Sequence, residues 1–283
     1  MMKSTKIYAL LGRTVDYSYS PVIHNAAFMD LGLPCHYTVF NIPDPDLVGD
    51  ALRGARALGI GGFSVTIPYK KTVVPFLDEL SDEAASIQAV NTIVNDNGRL
   101  IGHNTDIGGF AAPLLPYSES ITGQSVALFG AGGAALAAIK AFSTLFNPKE
   151  ILLFVRNTEK ARAQLEESGY DNSAPLTILP QEHPEKIRDC RVIVNATPLG
   201  TRGDNGSAIP LDQGLLNPGQ IVYDMVYNPL DTPLLQAAQL AGATTISGIE
   251  MLIGQAERAF TLWTALPMPA SAVREALLHE IQQ

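Results

Sequence analysis

The side chain best suited to acid–base chemistry is Lys70, which follows an apolar segment at Gly62–Ile67. This segment is predicted to be a strand, and Pro68 directly after it is typical of the first turn of a helix. A lysine in that turn faces the positive end of the helix dipole, which lowers the pKa of its amine and suits it to proton transfer. A solvated lysine beside Lys71 is the alternative interpretation.

Two serines form a second candidate site. Ser18 and Ser20 precede Pro21, and the residues from Pro21 to Leu31 are predicted to form a helix with Ser20 as its N-cap. Two hydroxyl groups at the positive end of a helix can hold a carboxylate. Capping by Ser20 alone needs no ligand, so that interpretation stays open.

Three other polar side chains are candidates for ligand binding. Asn91 and Asp106 stand in apolar or glycine-rich stretches, and Gln255 falls on the apolar face of a predicted helix. Because asparagine and aspartate also serve in turns and caps, and a glutamine can be hydrogen-bonded in a core, none of the three is decisive alone.

A glycine-rich turn predicts a nucleotide site. Gly130 and Gly132 follow a predicted strand at 125–129 and precede an alanine-rich helix that reaches about Leu145. The first glycine permits a tight turn, and the second lets a pyrophosphate approach the backbone at the start of the helix. The next strand, at 151–155, completes a βαβ unit. A tight turn without a ligand is the alternative.

The residue after that strand bears on the choice of nucleotide. Domains that prefer NAD usually carry Asp or Glu there, which binds the ribose hydroxyls, whereas this chain has Arg156. A planar guanidinium can pair with a 2′-phosphate, and Lys160 can add a second positive charge. The sequence therefore favours NADP, with a solvated arginine as the alternative.

The elements that position these residues alternate between strand-like and helix-like. This pattern predicts an α/β fold with parallel or mixed sheets. Glycines near Asn104–Phe110 indicate a junction between two domains with a cleft between them, and the chain after about Ile246 is predicted to be helical. The other predicted elements are strands at Ile7–Leu11, His36–Phe40, Arg191–Asn195 and Ile221–Val226, and a helix at Asp46–Leu58 that ends at Gly59.

Composition excludes several classes of function. The 283 residues carry 28 acidic and 19 basic side chains, and a net charge of −9 argues against general binding of nucleic acids or anionic membranes. The apolar run at Ile7–Leu11 is too short for a signal peptide or a membrane span. Cys35 and Cys190 form no CxxC pair and the histidines lack metal-ligand spacing, so we expect no metal site, no disulfide and a cytoplasmic location.

Seven segments occur in the order found in shikimate dehydrogenases, and together they resemble that family over almost the whole chain. The segments are Ser18-Tyr19-Ser20-Pro21 with His24-Asn25, Val65-Thr66-Ile67-Pro68-Tyr69-Lys70, Ala89-Val90-Asn91-Thr92, Gly102-His103-Asn104-Thr105-Asp106, Asn195-Ala196-Thr197-Pro198-Leu199-Gly200, Asp224-Met225-Val226-Tyr227-Asn228-Pro229 and Met251-Leu252-Ile253-Gly254-Gln255.

The resemblance implies an α/β substrate-binding domain at 1–107, a Rossmann NADP-binding domain at 108–245, and C-terminal helices at 246–283 that return to the substrate domain. It also implies NADPH-dependent, reversible reduction of 3-dehydroshikimate to shikimate on the route to chorismate and aromatic amino acids. The partner is then a small molecule, and the protein is a monomer or a homodimer.

The resemblance also assigns roles to residues, with Lys70 as the acid/base residue paired with Asp106. The residues implied to bind substrate are Ser18, Ser20, Ser64, Thr66, Asn91, Asp106, Tyr227 and Gln255. Those implied to bind the cofactor are Asp82, Gly130, Ala131, Gly132, Gly133, Ala134, Arg156, Asn157, Lys160, Thr197, Met225 and Gly248.

The chain departs from the family pattern at several positions, three of which concern the candidate sites. Tyr17 stands where many members have histidine, and Ser64 and Val155 stand where many have asparagine. Two other functions remain as alternatives. One is a quinate/shikimate dehydrogenase that uses NAD, although no acidic residue stands at position 155 or 156. The other is a non-catalytic sensor of shikimate-pathway metabolites.

Overall fold

The structure is a computed structural model that describes residues 5–16, 18–168, 170, 175–181, 184–203 and 206–281. Tyr17, one of the departures from the family pattern, lies outside the described residues. The chain divides into two compact units. The first consists of Met1–Thr105 with Gln255–Gln283, and the second of Asp106–Gly254.

The strands and helices follow one another in an α/β order. The strands are β1 (Lys6–Gly12), β2 (Cys35–Asn41), β3 (Gly62–Val65), β4 (Glu79–Leu80), β5 (Thr92–Asp96), β6 (Arg99–His103), β7 (Ser125–Phe129), β8 (Glu150–Val155), β9 (Leu176–Pro180), β10 (Cys190–Asn195), β11 (Ile221–Asp224) and β12 (Thr244–Ser247). The α-helices are α1 (Ser20–Asp30), α2 (Val48–Leu58), α3 (Asp82–Ile87), α4 (Asp106–Ala111), α5 (Ser118–Ile121), α6 (Gly133–Ala141), α7 (Thr158–Glu167), α8 (Pro233–Leu240), α9 (Gly248–Thr264) and α10 (Ala270–Ile281).

The first unit is built on a mixed six-stranded sheet with the order β2-β1-β3-β5-β6-β4. Strand β1 pairs in parallel with β2 and β3, while β5 runs antiparallel to both β3 and β6. The C-terminal end of α9 is tied to this sheet through Trp263. Its indole N–H donates to the Ile93 carbonyl at 3.0 Å, and its own carbonyl accepts from the Tyr8 hydroxyl at 3.3 Å.

The second unit contains a six-stranded sheet whose neighbours all run parallel, in the order β12-β11-β10-β7-β8-β9. Numbered within this unit, the order is that of the doubly wound Rossmann fold, 3-2-1-4-5-6, read from the other edge. Nearly every residue of β7, β8 and β10 is buried, as expected for strands covered by helices on both faces.

Most predicted elements are confirmed, including the strands near residues 7–11, 36–40, 125–129 and 151–155 and the end of α2 at Gly59 in the left-handed conformation. The helix predicted to begin at Pro68 is wrong. Residues 67–73 form turns that lead into a 3₁₀ helix at Val74–Phe76, and several hydrogen bonds there span three residues. The argument from a helix dipole therefore does not apply to Lys70.

A histidine in the core of the first unit gives stability a pH dependence. His24 is fully buried, its ring stacks on Tyr37 at 4.5 Å between centroids, and neither ring nitrogen has a partner among the described residues. Burial lowers the pKa of His24 from 6.5 to about 3. Because the unfolded chain binds this proton more readily, stability is lost as pH falls from about 6.5 toward 3.

We predict that His24→Phe, which retains an aromatic ring at this position, removes that dependence. Between pH 7 and pH 5 the wild type should lose about 2 kcal/mol more of its free energy of unfolding than the variant. Urea unfolding at a series of pH values measures the difference. His36→Phe, which removes an exposed histidine from β2, is the control and should retain the wild-type slope. Equal slopes for His24→Phe and the wild type would contradict the prediction.

No helix in the described part of the chain is long and apolar enough to cross a membrane.

Candidate active site

The two serines lie together at the start of α1. The Ser18 hydroxyl donates to Ser20 Oγ at 3.2 Å, and the Ser20 N–H donates to Ser18 Oγ at 3.2 Å. The prediction that Ser20 caps this helix is wrong, because Ser20 is its first residue and Tyr19 occupies the N-cap position, where its side chain makes no capping bond. Capping therefore does not occupy the Ser20 hydroxyl, and it remains suited to a ligand.

The backbone brings Lys70 and Asn91 beside the end of β3. The Val65 N–H donates to the Asn91 carbonyl at 2.7 Å, and the Val90 N–H donates to the Lys70 carbonyl at 2.8 Å. Thr66, the residue after β3, donates its N–H to the Leu11 carbonyl at 3.0 Å. The segment with Lys70 and the segment with Asn91 are thus held side by side in one unit.

The Asn91 side chain is fixed by a threonine that the sequence did not single out. Asn91 is buried, its Nδ2 donates to Thr105 Oγ1 at 2.9 Å, and its Oδ1 accepts from the Thr105 N–H at 2.7 Å. The Thr92 hydroxyl also donates to Asn91 Oδ1, at 3.1 Å. These bonds define the orientation of the amide. Thr105 lies within one of the quoted segments, but its type alone gave no signal of this role.

The remaining substrate-side candidates divide between the two units. Asp106 is buried as the first residue of α4 in the second unit, where a carboxylate is favoured by the start of a helix. Tyr227 is half-buried after β11 in the same unit. Lys70 and Gln255 are half-buried in the first unit. The pairing of Lys70 with Asp106 stays a prediction.

The glycine-rich turn of the second unit has room for a ligand. Gly130 has φ +100°, and a Cβ on it would lie 3.0 Å from the Ala196 carbonyl, so the position requires glycine. A Cβ on exposed Gly132 or Gly133 would meet no atom within 4 Å. Helix α6 begins at Gly133, and its first N–H groups have no acceptor within the helix. The turn and helix start fit a pyrophosphate.

We predict that Gly130→Ala weakens nucleotide binding without harming the first unit. The strained backbone and the contact with Ala196 should raise the KM for NADP about tenfold or more and leave the KM for shikimate unchanged. Gly123→Ala is a matched control, since Gly123 also has positive φ but a Cβ there meets nothing within 4 Å. Steady-state kinetics measures the KM for NADP of both variants, and similar values would contradict this prediction.

Arg156 follows β8 directly and is exposed. Its guanidinium has no hydrogen bond or ion pair to any residue that the structure describes. Asn157 is the N-cap of α7, where its Oδ1 accepts from the Lys160 N–H at 2.8 Å, so a structural role already accounts for it. The side chain of Lys160 is exposed in the first turn of α7. Arg156 and Lys160 thus follow the end of β8, which is where a Rossmann domain that binds NADP is expected to hold the 2′-phosphate.

Asp82 is an exposed residue at the start of α3, where the helix dipole alone favours a carboxylate. Its cofactor contact stays a prediction. In the part of the chain that the structure describes, no group of three or more His, Cys, Asp or Glu residues is arranged to hold a metal ion.

A buried polar network lies at the carboxyl ends of β10 and β11. Asn195 Nδ2 donates to Asp224 Oδ1 at 2.9 Å, and the Thr232 hydroxyl donates to Asp224 Oδ2 at 2.6 Å. Asn195 Oδ1 accepts from the Thr197 hydroxyl at 2.6 Å. Burial raises the pKa of Asp224, and the donated hydrogen bonds oppose the rise. The network fixes the chain around Thr197 and Met225, two candidate cofactor residues.

Gly248 is a further candidate cofactor residue whose position excludes any side chain. A Cβ on Gly248 would lie 2.3 Å from the Met225 carbonyl. Asn195 and Asp224 belong to segments quoted for the family resemblance, but no pattern of residue types indicates that they bind each other.

A parallel sheet in this order, with a glycine-rich turn and a helix start at its central strand, defines a dinucleotide-binding protein of the Rossmann type. The sequence profile of the shikimate dehydrogenase substrate binding domain matches residues 10–93, and that of the shikimate 5′-dehydrogenase C-terminal domain matches residues 248–278. A shikimate dehydrogenase (NADP(+)) of Pelodictyon phaeoclathratiforme is 74% identical over 100% of both chains. The chain belongs to the shikimate dehydrogenase family, a family of oxidoreductases, which confirms the resemblance seen in the sequence.

Solved structures with the same fold differ in their ligands. The shikimate 5-dehydrogenase of Thermus thermophilus, in complex with NADP(H) and shikimate, is 34% identical with a TM-score of 0.81, over 97% of this chain and 99% of that one. The quinate dehydrogenase of Corynebacterium glutamicum, in complex with NAD, is 30% identical with a TM-score of 0.89, over 98% and 100%. The fold alone therefore does not distinguish these two activities.

Proposed function

We propose that this protein catalyses the NADPH-dependent, reversible reduction of 3-dehydroshikimate to shikimate, a step toward chorismate and the aromatic amino acids. The observation that supports this most strongly is the 74% identity, over the full length, to a shikimate dehydrogenase (NADP(+)). Arg156 stands after β8 in place of an acidic residue and has no hydrogen bond or ion pair to a described residue, which favours NADP over NAD within this class.

The substrate is held mainly by the substrate-binding domain, which we assign to residues 1–107 with the C-terminal helices from 246. This assignment includes the first unit and a few residues of the second. Ser18 and Ser20 bind the carboxylate at the start of α1, where two adjacent hydroxyls and the helix dipole favour an anion. The ring hydroxyls are bound by Thr66, Asn91, Asp106, Tyr227 and Gln255, of which Asn91 is oriented in advance by Thr105.

Lys70 is the acid in the reduction. Its ammonium group donates a proton to the ketone oxygen of the substrate as negative charge develops there, and Asp106 orients that group and stabilises its charge. When bound, NADPH supplies the hydride that reduces the ketone carbon. In the oxidation of shikimate, the neutral amine of Lys70 accepts the same proton.

The second unit is assigned as the NADP-binding domain (residues 108–245). The turn at residues 130–134 holds the pyrophosphate through its N–H groups, and Arg156 with Lys160 holds the 2′-phosphate. Thr197, Met225 and Gly248 lie around the carboxyl ends of β10 and β11, where the nicotinamide end of the cofactor is bound. Roles for Asp82 and Asn157 belong to the same proposal.

The proposal is tested by offering the purified protein shikimate and quinate, each with NADP and NAD, and following the reduced nicotinamide. We expect fast turnover for shikimate with NADP alone. Comparable turnover of quinate with NAD would place the protein with the quinate dehydrogenases. Binding of shikimate without turnover of any pair would favour a sensor.

A further inference from the structure

Two buried hydroxyl groups in the first unit have no hydrogen-bond partner among the residues that the structure describes. The Tyr37 hydroxyl and Ser64 Oγ are both shielded from solvent, and neither forms a hydrogen bond with any described residue. Burial of a polar group without a partner is unfavourable, and in native proteins such a group calls for an explanation. The two residues lie on different strands, β2 and β3.

The register of the sheet places both side chains on one face. Tyr37 pairs with Tyr8 of β1, and Ser64 pairs with Leu10 of the same strand. Because Tyr8 and Leu10 are two residues apart, their side chains, and those of their partners, project to the same side of the sheet. Helix α1 covers this face, since the His24 ring stacks on Tyr37 at 4.5 Å.

The first residue of α1 belongs to the same cluster. Ser20 precedes His24 by four residues, one turn of helix, so both lie on the face of α1 that meets Tyr37. Burial raises the pKa of the Tyr37 hydroxyl, and the neighbouring hydroxyls of Ser64 and Ser20 oppose that rise. These three hydroxyls are therefore neighbours, and Ser18 joins them through its 3.2 Å bond to Ser20.

Tyr37 is held in place both at its backbone and at its ring. Asn25 of α1 donates through Nδ2 to the Tyr37 carbonyl at 2.8 Å and accepts the Tyr37 N–H at 2.8 Å. The tyrosine ring is stacked against His24, with Trp263 at 6.0 Å. The chain thus fixes a hydroxyl that none of its described groups uses.

We propose that Tyr37 is a positioning residue for the substrate carboxylate. Without substrate, Ser18 is the donor to Ser20. When the carboxylate binds, Tyr37 replaces Ser18 as that donor, so Ser18 and Ser20 can both turn their protons toward the carboxylate. Ser64 in turn donates to the Tyr37 oxygen. The result is a chain of hydrogen bonds that ends on a charged acceptor, in which each bond strengthens the next.

This inference rests on the proposed function, because the carboxylate is that of shikimate. Tyr37→Phe removes the hydroxyl and keeps the ring. We expect the KM for shikimate to rise about tenfold, with kcat within about twofold of the wild type and the KM for NADP unchanged. The melting temperature without ligand should not fall, because the lost hydroxyl has no partner in the described part of the chain.

Tyr8→Phe is the matched control on the same face of the sheet. The Tyr8 hydroxyl donates to the Trp263 carbonyl at 3.3 Å, so its loss should lower the melting temperature and leave the KM for shikimate unchanged. If Tyr37→Phe also lowered the melting temperature and left the KM for shikimate unchanged, Tyr37 would be merely structural and the proposal would be overturned. An unchanged KM together with an unchanged melting temperature, as expected if a buried water satisfies the hydroxyl, would also overturn it.

A change in the substrate separates an effect on the carboxylate from a general effect on the site. With shikimate methyl ester, which lacks the charge, Tyr37→Phe should lower kcat/KM less than about twofold, against about tenfold with shikimate. Equal losses with both substrates would contradict the proposal. If Tyr37→Phe does not fold, Ser64→Ala is compared with the wild type on the same two substrates. We expect its kcat/KM to fall for shikimate, by less than in Tyr37→Phe, and to stay nearly unchanged for the methyl ester.

Failure of the proposed function would be seen separately. A wild-type protein that does not turn over shikimate refutes that function, and calorimetry then compares the Kd for shikimate of wild type and Tyr37→Phe. A Kd about tenfold weaker in the variant supports the positioning role, whereas equal Kd values, or no binding by the wild type, overturn it.

Discussion

Replacing Lys70 with methionine is expected to lower kcat about 10³-fold for shikimate with NADP. Methionine keeps much of the aliphatic length of lysine but can neither donate nor accept a proton. The segment itself should remain in place, because its position depends on the backbone bond from the Val90 N–H to the Lys70 carbonyl at 2.8 Å. The KM values for shikimate and NADP should change much less than kcat, since the proton is transferred only in the chemical step.

Lys71→Met is the matched control, because it removes the adjacent half-buried lysine from the same turn. Its kcat should stay within about twofold of the wild type, whereas loss of Asp106 in Asp106→Asn should lower kcat by at least about tenfold. Initial rates at saturating substrate measure all three variants. Unchanged turnover in both Lys70→Met and Asp106→Asn would refute the mechanism, and equal losses in the two lysine variants would point to damage to the turn.

Arg156→Gln is expected to raise the KM for NADP about 100-fold while leaving the weaker reaction with NAD unaffected. The guanidinium would form charge-assisted, bidentate hydrogen bonds with the 2′-phosphate, which NAD lacks. Since Arg156 is exposed and makes no other hydrogen bond with a described residue, its loss should not change the melting temperature.

The comparison of the two nucleotides is itself a control, and Arg162→Gln provides another. Arg162 is an exposed arginine of the neighbouring α7, and its replacement should change the KM for NADP and the KM for NAD by no more than about twofold. Steady-state kinetics with both nucleotides gives the ratio of specificities. If Arg156→Gln lowers kcat/KM equally for NADP and NAD, Arg156 does not recognise the 2′-phosphate.

The second unit was the easier part of the fold to predict from the sequence. The runs that became β7, β8 and β10 are apolar enough to be buried on both faces, and a tight turn rich in glycine separates the first of them from α6. Each local signal there agrees with the tertiary structure. Strand β12 of this unit and strand β4 of the first unit have only four and two residues, which is too few to show the alternation of apolar and polar side chains that identifies a strand.

The turn around Lys70 shows where local signals fail. Pro68 suits the first turn of a helix, yet the buried Tyr69, whose hydroxyl donates to the Ile42 carbonyl, anchors a series of turns in its place. That anchor depends on a residue far away in sequence, so no local pattern contains it. The family resemblance nevertheless singled out Lys70, because it rests on the order of residue types and not on the local conformation.

The partners of the candidate residues were also beyond prediction. Thr105 orients Asn91 across the β5–β6 hairpin, and Asp224 binds Asn195 where β10 and β11 lie side by side. The types of these residues do not indicate which partner each one takes. Tyr37 gave still less signal, because a tyrosine in an apolar strand is most simply a core residue. That its hydroxyl is buried without a partner among the described residues is a property of the folded unit.

The central claim is most directly tested by giving the purified protein 3-dehydroshikimate and NADPH and identifying the product. We predict that shikimate forms, with one NADPH oxidised for each shikimate, and that Lys70→Met forms it about 10³-fold more slowly. Nuclear magnetic resonance identifies the product, and the loss of absorbance of NADPH gives the stoichiometry. Oxidation of NADPH without formation of shikimate, or no reaction with a protein that is folded and binds NADPH, would contradict the account.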